Sequence, residues 1–524
     1  MFSYTRPTSL SSEISAFRSF LARFSAFEVA TWFIAIFLFW GSFRAIYLLY
    51  FHPLASFPGP RRAALSTWWL YCQSRSGRAE EIFEELHKKY NTRALRIAPN
   101  EIHITDSALY HTIYSQQHTF KKQAHFYSAF MTPHSVFVET DVELHRQRRK
   151  QLSNFFSKMS IRSIEGILFS KVATLCKRIS ETRFNGPINF YQAFRCLTVD
   201  VITEVAFGES FNLLIESEAN TFNAPFLETF DLAANSFWDI EHFTILRVVI
   251  SRVPAAVAEK LSRSAARLQG LPLAVADTVT KFRRLKSSGK SFDHVVVFDK
   301  LSELDDVQLQ GEATDILVAG SDTTATTLAV AIEQIIERPA VHTRLRKELR
   351  DAGFLREQDY ELQKLEQLPY LSSCVKEALR YAMAVPGRLP RIVPKPGMGA
   401  EALVVDGKHI PSGASVSMSA YSVHFDESIW GADARSFIPE RWLTDDGKHL
   451  EKYLVTFSKG ARQCLGINLA YAEATLTLAM VVGRFRFTAD KTLKESDLKR
   501  VDNFTMGYKG TGIRAEVHED YQKA

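Results

Sequence analysis

Apolar positions run without a break from Val29 to Phe43, pause at Arg44 and resume through Phe51. As one helix, residues 29–51 rise roughly 35 Å, enough to cross a bilayer core. Arg44 falls near the end, where a long cation reaches the headgroups, and Trp32, Trp40, Tyr47 and Tyr50 supply interfacial aromatics. Upstream, Ile14, Phe17, Phe20, Leu21, Phe24 and Phe27 recur at helical spacing around Arg18 and Arg23, the pattern of a helix lying in the interface. The apolar run sits far from Met1 and no A-x-A site follows it, which favours an anchor over a cleaved signal peptide. His52 to Pro60 reads HPLASFPGP and cannot continue a helix. The pattern divides the chain into an anchor (1–52), a stiff proline-rich linker (53–60) and a catalytic domain (61–524).

Beyond the linker, alternating apolar residues in 94–99 and 101–106 flank Pro99-Asn100 and predict a β-hairpin. Helical periodicity dominates from about 140 to 390. Gly311 to Arg338 reads as one long helix stopped by Pro339. From Pro386 to about Glu440 the chain is rich in glycine and proline, with short strands and a turn at Asp406-Gly407. A further helix is predicted at Leu465–Val482, with strands near Arg484–Ala489 and Gly512–Val517. The fold class is mainly α with a small β portion.

Composition narrows the chemistry. A net charge of +6, from 64 basic and 58 acidic residues in 524, is too small and too dispersed to argue for nucleic acid; it suits an anionic membrane surface or an acidic partner. The five cysteines (72, 176, 196, 374 and 464) are widely spaced and form no C-x-x-C, so neither a disulfide framework nor a zinc site is indicated. Gly397–Ala402 matches G-x-G-x-x-A but follows two prolines and precedes no helix. Gly289-Lys290-Ser291 lacks the upstream glycine of a phosphate loop, and no H-E-x-x-H occurs.

Phe457 to Gly466 reads FSKGARQCLG. Cys464 stands just before a predicted helix, whose N-terminus favours a thiolate. Gly460 permits a tight turn, and Gly466 lets backbone approach a flat ligand. Arg462 suits a carboxylate, and Phe457 can shield the sulfur from water. In the long helix, AGSDTT (319–324) places Thr323 to bond back to the Ala319 carbonyl and bend the helix beside a flat cofactor.

The spacing F-x-x-G-x-R-x-C-x-G resembles the haem-ligand signature of the cytochrome P-450 superfamily, and AGSDTT resembles its oxygen-binding motif. Glu377-Ala-Leu-Arg380 and FIPERW (437–442) are similar to the segments that form a buried triad in that family, here Glu377, Arg380 and Arg441. HRQRRKQLSNFF (145–156) resembles the family helix carrying W-x-x-x-R, with Arg149 at the arginine and His145 where the tryptophan usually stands. The resemblance covers roughly residues 53 to 517.

It implies the cytochrome P-450 fold, haem b with Cys464 as axial iron ligand, and propionates held by Arg462, Arg149, His145 and one of Arg388 or Arg391, with spacing favouring Arg388. It implies proton delivery by Thr323 and Asp322, and hydroxylation or epoxidation of a lipophilic small molecule by O2. The electrons come from NADPH through a cytochrome P-450 reductase, with cytochrome b5 as a further donor. It also implies a single-pass endoplasmic reticulum protein with a cytosolic catalytic domain. HPLASFPGP, the basic helix and GRLPR are similar to filamentous-fungal members that oxidise secondary metabolites, trichodiene-oxygenase-like enzymes among them. A rearranging enzyme without external electrons and a haem-binding protein without turnover are the alternatives; the intact Asp322–Thr323 pair argues against both. The substrate pocket is expected from residues 125–140, 224–243, 311–320, 384–389 and 505–509, with Phe126, Phe130, Phe137, Phe226, Phe230, Phe237 and Trp238 as its aromatics.

Overall fold

The structure is a computed structural model that describes residues 25–117, 119–253, 257, 270–289, 294–397 and 401–522. The interfacial pattern at residues 14–24 and parts of the two rejected glycine motifs lie outside them. Ser25 caps the first helix through a reciprocal bond with Glu28. The helix runs Ala26–Ile46 and continues through π-type turns to Phe51. Residues 27–51 are long and apolar enough to cross a membrane and are almost wholly exposed. His52 ends the helix in an extended conformation.

Residues 53–60 do not stand off as a spacer. Leu54 and Phe57 are buried in a hydrophobic cluster with Ile102, Ile104 and Val416. The buried Arg96 guanidinium donates to the Leu48 carbonyl (2.9 Å) and to the Pro99 carbonyl (2.7 Å). A basic side chain thus meets the negative end of the anchor helix and fixes the chain's exit from it.

The predicted hairpin is present as antiparallel Ala94–Ala98 and Glu101–Ile104. It extends into a five-stranded sheet: Glu101–Ile104 pairs in parallel with Ser415–Ser417, which pairs antiparallel with Arg391–Ile392, which in turn pairs with Lys121–Lys122. Asp406 and Gly407 both have positive φ (50° and 71°) between two short strands, the geometry that favours Asp-Gly in a two-residue hairpin. Phe485–Ala489 pairs with Arg514–Asp520, which also takes up Ile188–Asn189.

The central helix runs Asp306–Glu337, starting five residues before the predicted point because Asp305 caps it through the Gln308 amide. It ends at Arg338, immediately before Pro339. It packs on Phe190–Phe207, Gly270–Ser287, Pro369–Ala382 and Ile467–Arg484, so side chains in its middle are enclosed by other helices. Gly320 is the point of closest approach to Phe190–Phe207: a Cβ there would lie 2.6 Å from Ile202 Cγ1. Gly320→Ala gains about 1 kcal/mol of helix propensity but meets an overpacking cost of about 1–3 kcal/mol. It is expected to lower the apparent melting temperature of the wild type and to raise it in an Ile202→Ala background. Equal shifts in the two backgrounds would contradict this packing.

Candidate active site

The cysteine loop is held by its backbone. The Cys464 amide donates to the Phe457 carbonyl (3.0 Å) and the Gln463 amide to the Gly460 carbonyl (3.0 Å). Gly460 has φ 74°, and a Cβ there would lie 2.3 Å from the Tyr114 carbonyl oxygen, so both conformation and contact exclude a side chain. Ser458, also left-handed (φ 56°), completes the turn. The Phe457 ring packs on Tyr471. The following helix begins at Ile467, with Gly466 as its cap, two residues later than predicted.

Cys464 is exposed, yet burial leads the influences on its thiol and raises its pKa; the Gly466 amide and Arg149 pull it back. The two observations agree if the sulfur faces an interior space rather than bulk solvent. The predicted lowering by a helix end is outweighed, because the protein around the sulfur disfavours its charge.

Above the loop, Thr323 Oγ1 donates to the Ala319 carbonyl (2.7 Å), the predicted back-bond. Ala319 is exposed although the helix around it is enclosed, and Thr323 is half-buried. Asp322 is buried and accepts from Arg195 Nε (3.0 Å). Arg195, itself 0% exposed, also reaches Asp231 Oδ1 (2.9 Å), on a half-exposed side chain. Burial works against the Arg195 charge, but Asp322, then Tyr191 and Asp231, more than offset it and hold its pKa raised. Nothing in the sequence marked Arg195: it lies 127 positions from its partner in a helix buried along most of its length.

Glu377 and Arg380 meet in a doubly bonded pair (2.9 and 2.8 Å), both 0% exposed. Arg441 Nε (3.1 Å), Trp442 Nε1 (3.0 Å) and the Ile438 amide (2.8 Å) also donate to Glu377. Arg380 donates to the carbonyls of His424, Ala434 and Ser436. The missed member is His424: its Nδ1 sits 3.0 Å from the Arg380 carbonyl and its Nε2 accepts from the Val455 amide (3.0 Å), at the entrance to the cysteine loop. Burial, then Arg380, lowers its pKa to about 3, so the ring is neutral.

The basic helix splits in two. Arg146 and Lys150 are exposed, whereas Arg148 pairs with buried Glu312 (3.0 Å) and Arg149 donates to the Gln463 carbonyl (2.7 Å) beside Cys464. His145 is buried. Arg462 donates to the Glu139 carbonyl (2.6 Å). Arg388, the favoured second arginine, does not join them. It pairs with Glu101 (3.1 Å) behind the rings of Phe126 and Trp238, because a bridge to Ser419 sets it against the edge of the sheet. Arg391 takes the other direction: it lies directly opposite Lys122 across two antiparallel strands. Lys122, which the sequence reading missed, is buried and donates to the Phe137 carbonyl. Burial, then Arg391 and Arg462, lowers its pKa far below the usual lysine value. The expected aromatics also divide. Phe126, Phe130, Phe137, Phe237 and Trp238 cluster with Phe504, while Phe226 packs elsewhere, between Phe211 and Phe230. A groove of about 770 Å³ lined by Glu80, Glu84, His87 and Asp406 shares no residue with this site.

The family model described as Cytochrome P450 matches residues 58–512. This chain belongs to the cytochrome P450 family. It is 33% identical over 499 residues to cytochrome P450 monooxygenase macH of Penicillium terrestre, covering 91% of this chain and 96% of that protein. It is 33% identical over 483 residues to cytochrome P450 monooxygenase MO6277 of Ascocoryne sarcoides (88% and 92%). It is 31% identical over 471 residues to cytochrome P450 monooxygenase BOT1 of Botryotinia fuckeliana (86% and 88%). The chain is a P450 monooxygenase.

P450 membership implies haem on a cysteine thiolate and the use of dioxygen, and the residues here fit that group. After burial, the neighbouring arginines disfavour the charge on Lys122 (Arg391, Arg462 and Arg149) and on Arg462 (Arg391 and Arg149), and none of these four cations has a carboxylate within ion-pair distance among the described residues. Like charges directly opposite across strands are unfavourable; an anion between them, such as a propionate, removes the penalty.

Behind the cysteine loop, Glu473 is buried in the Ile467–Arg484 helix, and burial alone pushes its pKa up to about 8. The folded state therefore holds a proton that the unfolded state, with an ordinary carboxyl, loses near pH 4.5. Stability from this group is full below that pH and is lost as pH rises toward 8. Glu473→Gln is expected to flatten the fall in apparent melting temperature between pH 6 and about 8; an unchanged slope would contradict this.

Proposed function

We propose that this P450 hydroxylates or epoxidises a lipophilic small molecule, a secondary metabolite of terpenoid, polyketide or alkaloid type, with electrons passed from NADPH by a cytochrome P-450 reductase. The observation that carries the reading is an accessible thiol enclosed by protein, with cations nearby that have no carboxylate partner among the described residues and a central helix in which Thr323 bonds back to the Ala319 carbonyl beside Asp322. The curated relatives, fungal P450 monooxygenases throughout, support it.

In this reading Cys464 holds the iron, and Arg462, Arg391 and Lys122, with Arg149 and His145, hold the propionates. The bound haem supplies the oxygen-activating chemistry. The protein's own residues position and protonate. Phe457 and Tyr471 shield the sulfur from water. Thr323, with its hydroxyl proton engaged by the Ala319 carbonyl, offers its oxygen lone pairs to a water. Asp322 exchanges protons with that water when its bond to Arg195 loosens, and Asp231 marks the solvent end of the same bridge. Phe130, Phe137, Phe237 and Phe504 form an apolar wall that excludes bulk water from the substrate.

The chain divides into an anchor (1–52), a short connection (53–60) and a catalytic domain (61–524). In the same reading the apolar helix 27–51 anchors the protein to the endoplasmic reticulum membrane, with the domain on the cytosolic side; its length and composition support a membrane span. The basic cluster around Lys459 and Arg149 is the face on which an acidic reductase, or cytochrome b5, docks in this reading.

Cys464→Ser is expected to abolish the red-shifted Soret band of the ferrous carbon monoxide complex while Cys374→Ser leaves it in place; a band unchanged in Cys464→Ser would overturn the assignment. Asp322→Asn is expected to slow turnover about 10²-fold and to divert reducing equivalents into peroxide. Arg195→Met is expected to do the same, with the double variant no worse than either. Additive losses would mean that the two residues act independently.

A further inference from the structure

Asp315, in the central helix, has no role in the reading above. Positions 315, 319 and 323 fall on one stripe of a helix. Along it Asp315 and Thr323 are half-buried and Ala319 is exposed, although the helix is packed by others on its remaining sides. Asp315 thus opens into the same interior space as Thr323, about 12 Å away along the axis. The neighbouring acid, Glu312, is 0% exposed and is already engaged by Arg148 and the Val136 amide.

The Ser135 hydroxyl donates to Asp315, and Thr132 lies beside it. Burial pushes the Asp315 pKa up to about 6, against the pull of Ser135, Thr132 and Lys122, which leaves the group mainly ionised at neutral pH. A structural clip does not need that charge. The segment 132–136 is already secured by the Glu312 bond to the Val136 amide (2.9 Å) and by its close approach to Gly311, where a Cβ would lie 2.9 Å from the Pro133 carbonyl oxygen. On either side of Ser135 in the chain come Phe130 and Phe137; the Phe130 ring meets Phe137, Phe237 and Phe504 at centroid distances of 4.7–4.9 Å. Lys122 Nζ lies 4.2 Å from the Phe137 centroid, so this wall already accommodates a cation.

We propose that Asp315 is a specificity-determining residue of the pocket, which takes the hydrogen-bond-donating end, a hydroxyl or a protonated amine, of an otherwise lipophilic substrate. The substrate displaces the Ser135 hydroxyl from the carboxylate, and the aromatic wall covers its apolar body. A carboxylate in an apolar surround discriminates strongly, because a ligand without a donor leaves it poorly satisfied. The distance to Thr323 places the donor group about 12 Å along the pocket from the site of oxidation.

The inference rests on the haem reading, and its test separates the two. Full-length protein loaded with haem is titrated with 1-alkylimidazoles of graded chain length whose far ends are methyl, hydroxyl or primary ammonium. The imidazole anchors on iron and shifts the Soret band, and the tail samples the pocket. At the matching length, the hydroxyl and ammonium tails are expected to bind about tenfold more tightly than the methyl tail. Asp315→Asn removes the ammonium preference without changing the methyl Kd, and Asp315→Glu retains it. Ser135→Ala, which removes the internal competitor, tightens the donor tails severalfold, an effect in the opposite direction to any loss of fold. Equal binding of all three tails by the wild type, or an ammonium preference that survives in Asp315→Asn, overturns the proposal. A Soret band that no imidazole shifts, the methyl one included, overturns the haem reading and this inference with it.

Discussion

The doubly bonded pair of Glu377 and Arg380 is the constraint on which the site depends. Two full charges with no exposure are tolerable only when each oxygen and each N–H has a partner, and here they do. The partners come from three separate stretches: the helix Pro369–Ala382, the segment between His424 and Ser436 with its short helix Glu427–Trp430, and the 3-10 turn carrying Arg441 and Trp442. One ion pair therefore fixes where two segments built only of short helical turns and loops must lie. His424 passes that order on, since its ring joins the Arg380 carbonyl to the amide of Val455. The cysteine loop begins two residues later. The value of such a pair is the single arrangement it enforces rather than net stabilisation, because replacing buried ions by apolar groups is often neutral or favourable.

Charge is sorted around that frame by a consistent logic. Where the protein is complete in itself, buried charges are closed off in pairs: Glu377 with Arg380, Asp322 with Arg195, Glu312 with Arg148, Arg388 with Glu101. Beside the cysteine loop, by contrast, cations converge with no carboxylate partner among the described residues: Lys122, Arg391, Arg462 and Arg149. The contrast separates Arg388 from Arg391 more sharply than sequence spacing could. Arg391 stands in the strand opposite Lys122, so sheet register aims both at one place. Arg388, three residues earlier, has left the strand and is matched by an acid. Asp315 departs from that pairing on the acidic side, as Glu473 does: a carboxylate with hydroxyl partners and no ion pair among the described residues.

Motif-bearing segments were legible in the sequence because their constraints are local. The turn around Gly460, the back-bond from Thr323 to Ala319, and the Glu377–Arg380 spacing each involve residues within a few positions, and helix periodicity or a forbidden Cβ acts over that range. The anchor helix and the two hairpins were legible for the same reason. The long helix was found, but its start was misplaced because the Asp305 cap precedes the apolar repeat. The proline-rich stretch was recognised as non-helical; that Leu54 and Phe57 bury themselves in the domain followed from the partners waiting for them.

By itself, then, the sequence determined the family, a helix long and apolar enough to cross a membrane, and the order of the main elements, since each is written in local spacings. Tertiary structure alone decided which arginine joins the cationic cluster, that Arg195 stands behind Asp322, that Lys122 is buried beside Arg391, that Phe226 and Phe230 leave the aromatic cluster, and that burial rather than a helix end governs the Cys464 thiol. All of these are matters of desolvation and of contacts between residues far apart in the chain. Their energies exist only once water has been excluded and the distant partners have been brought together.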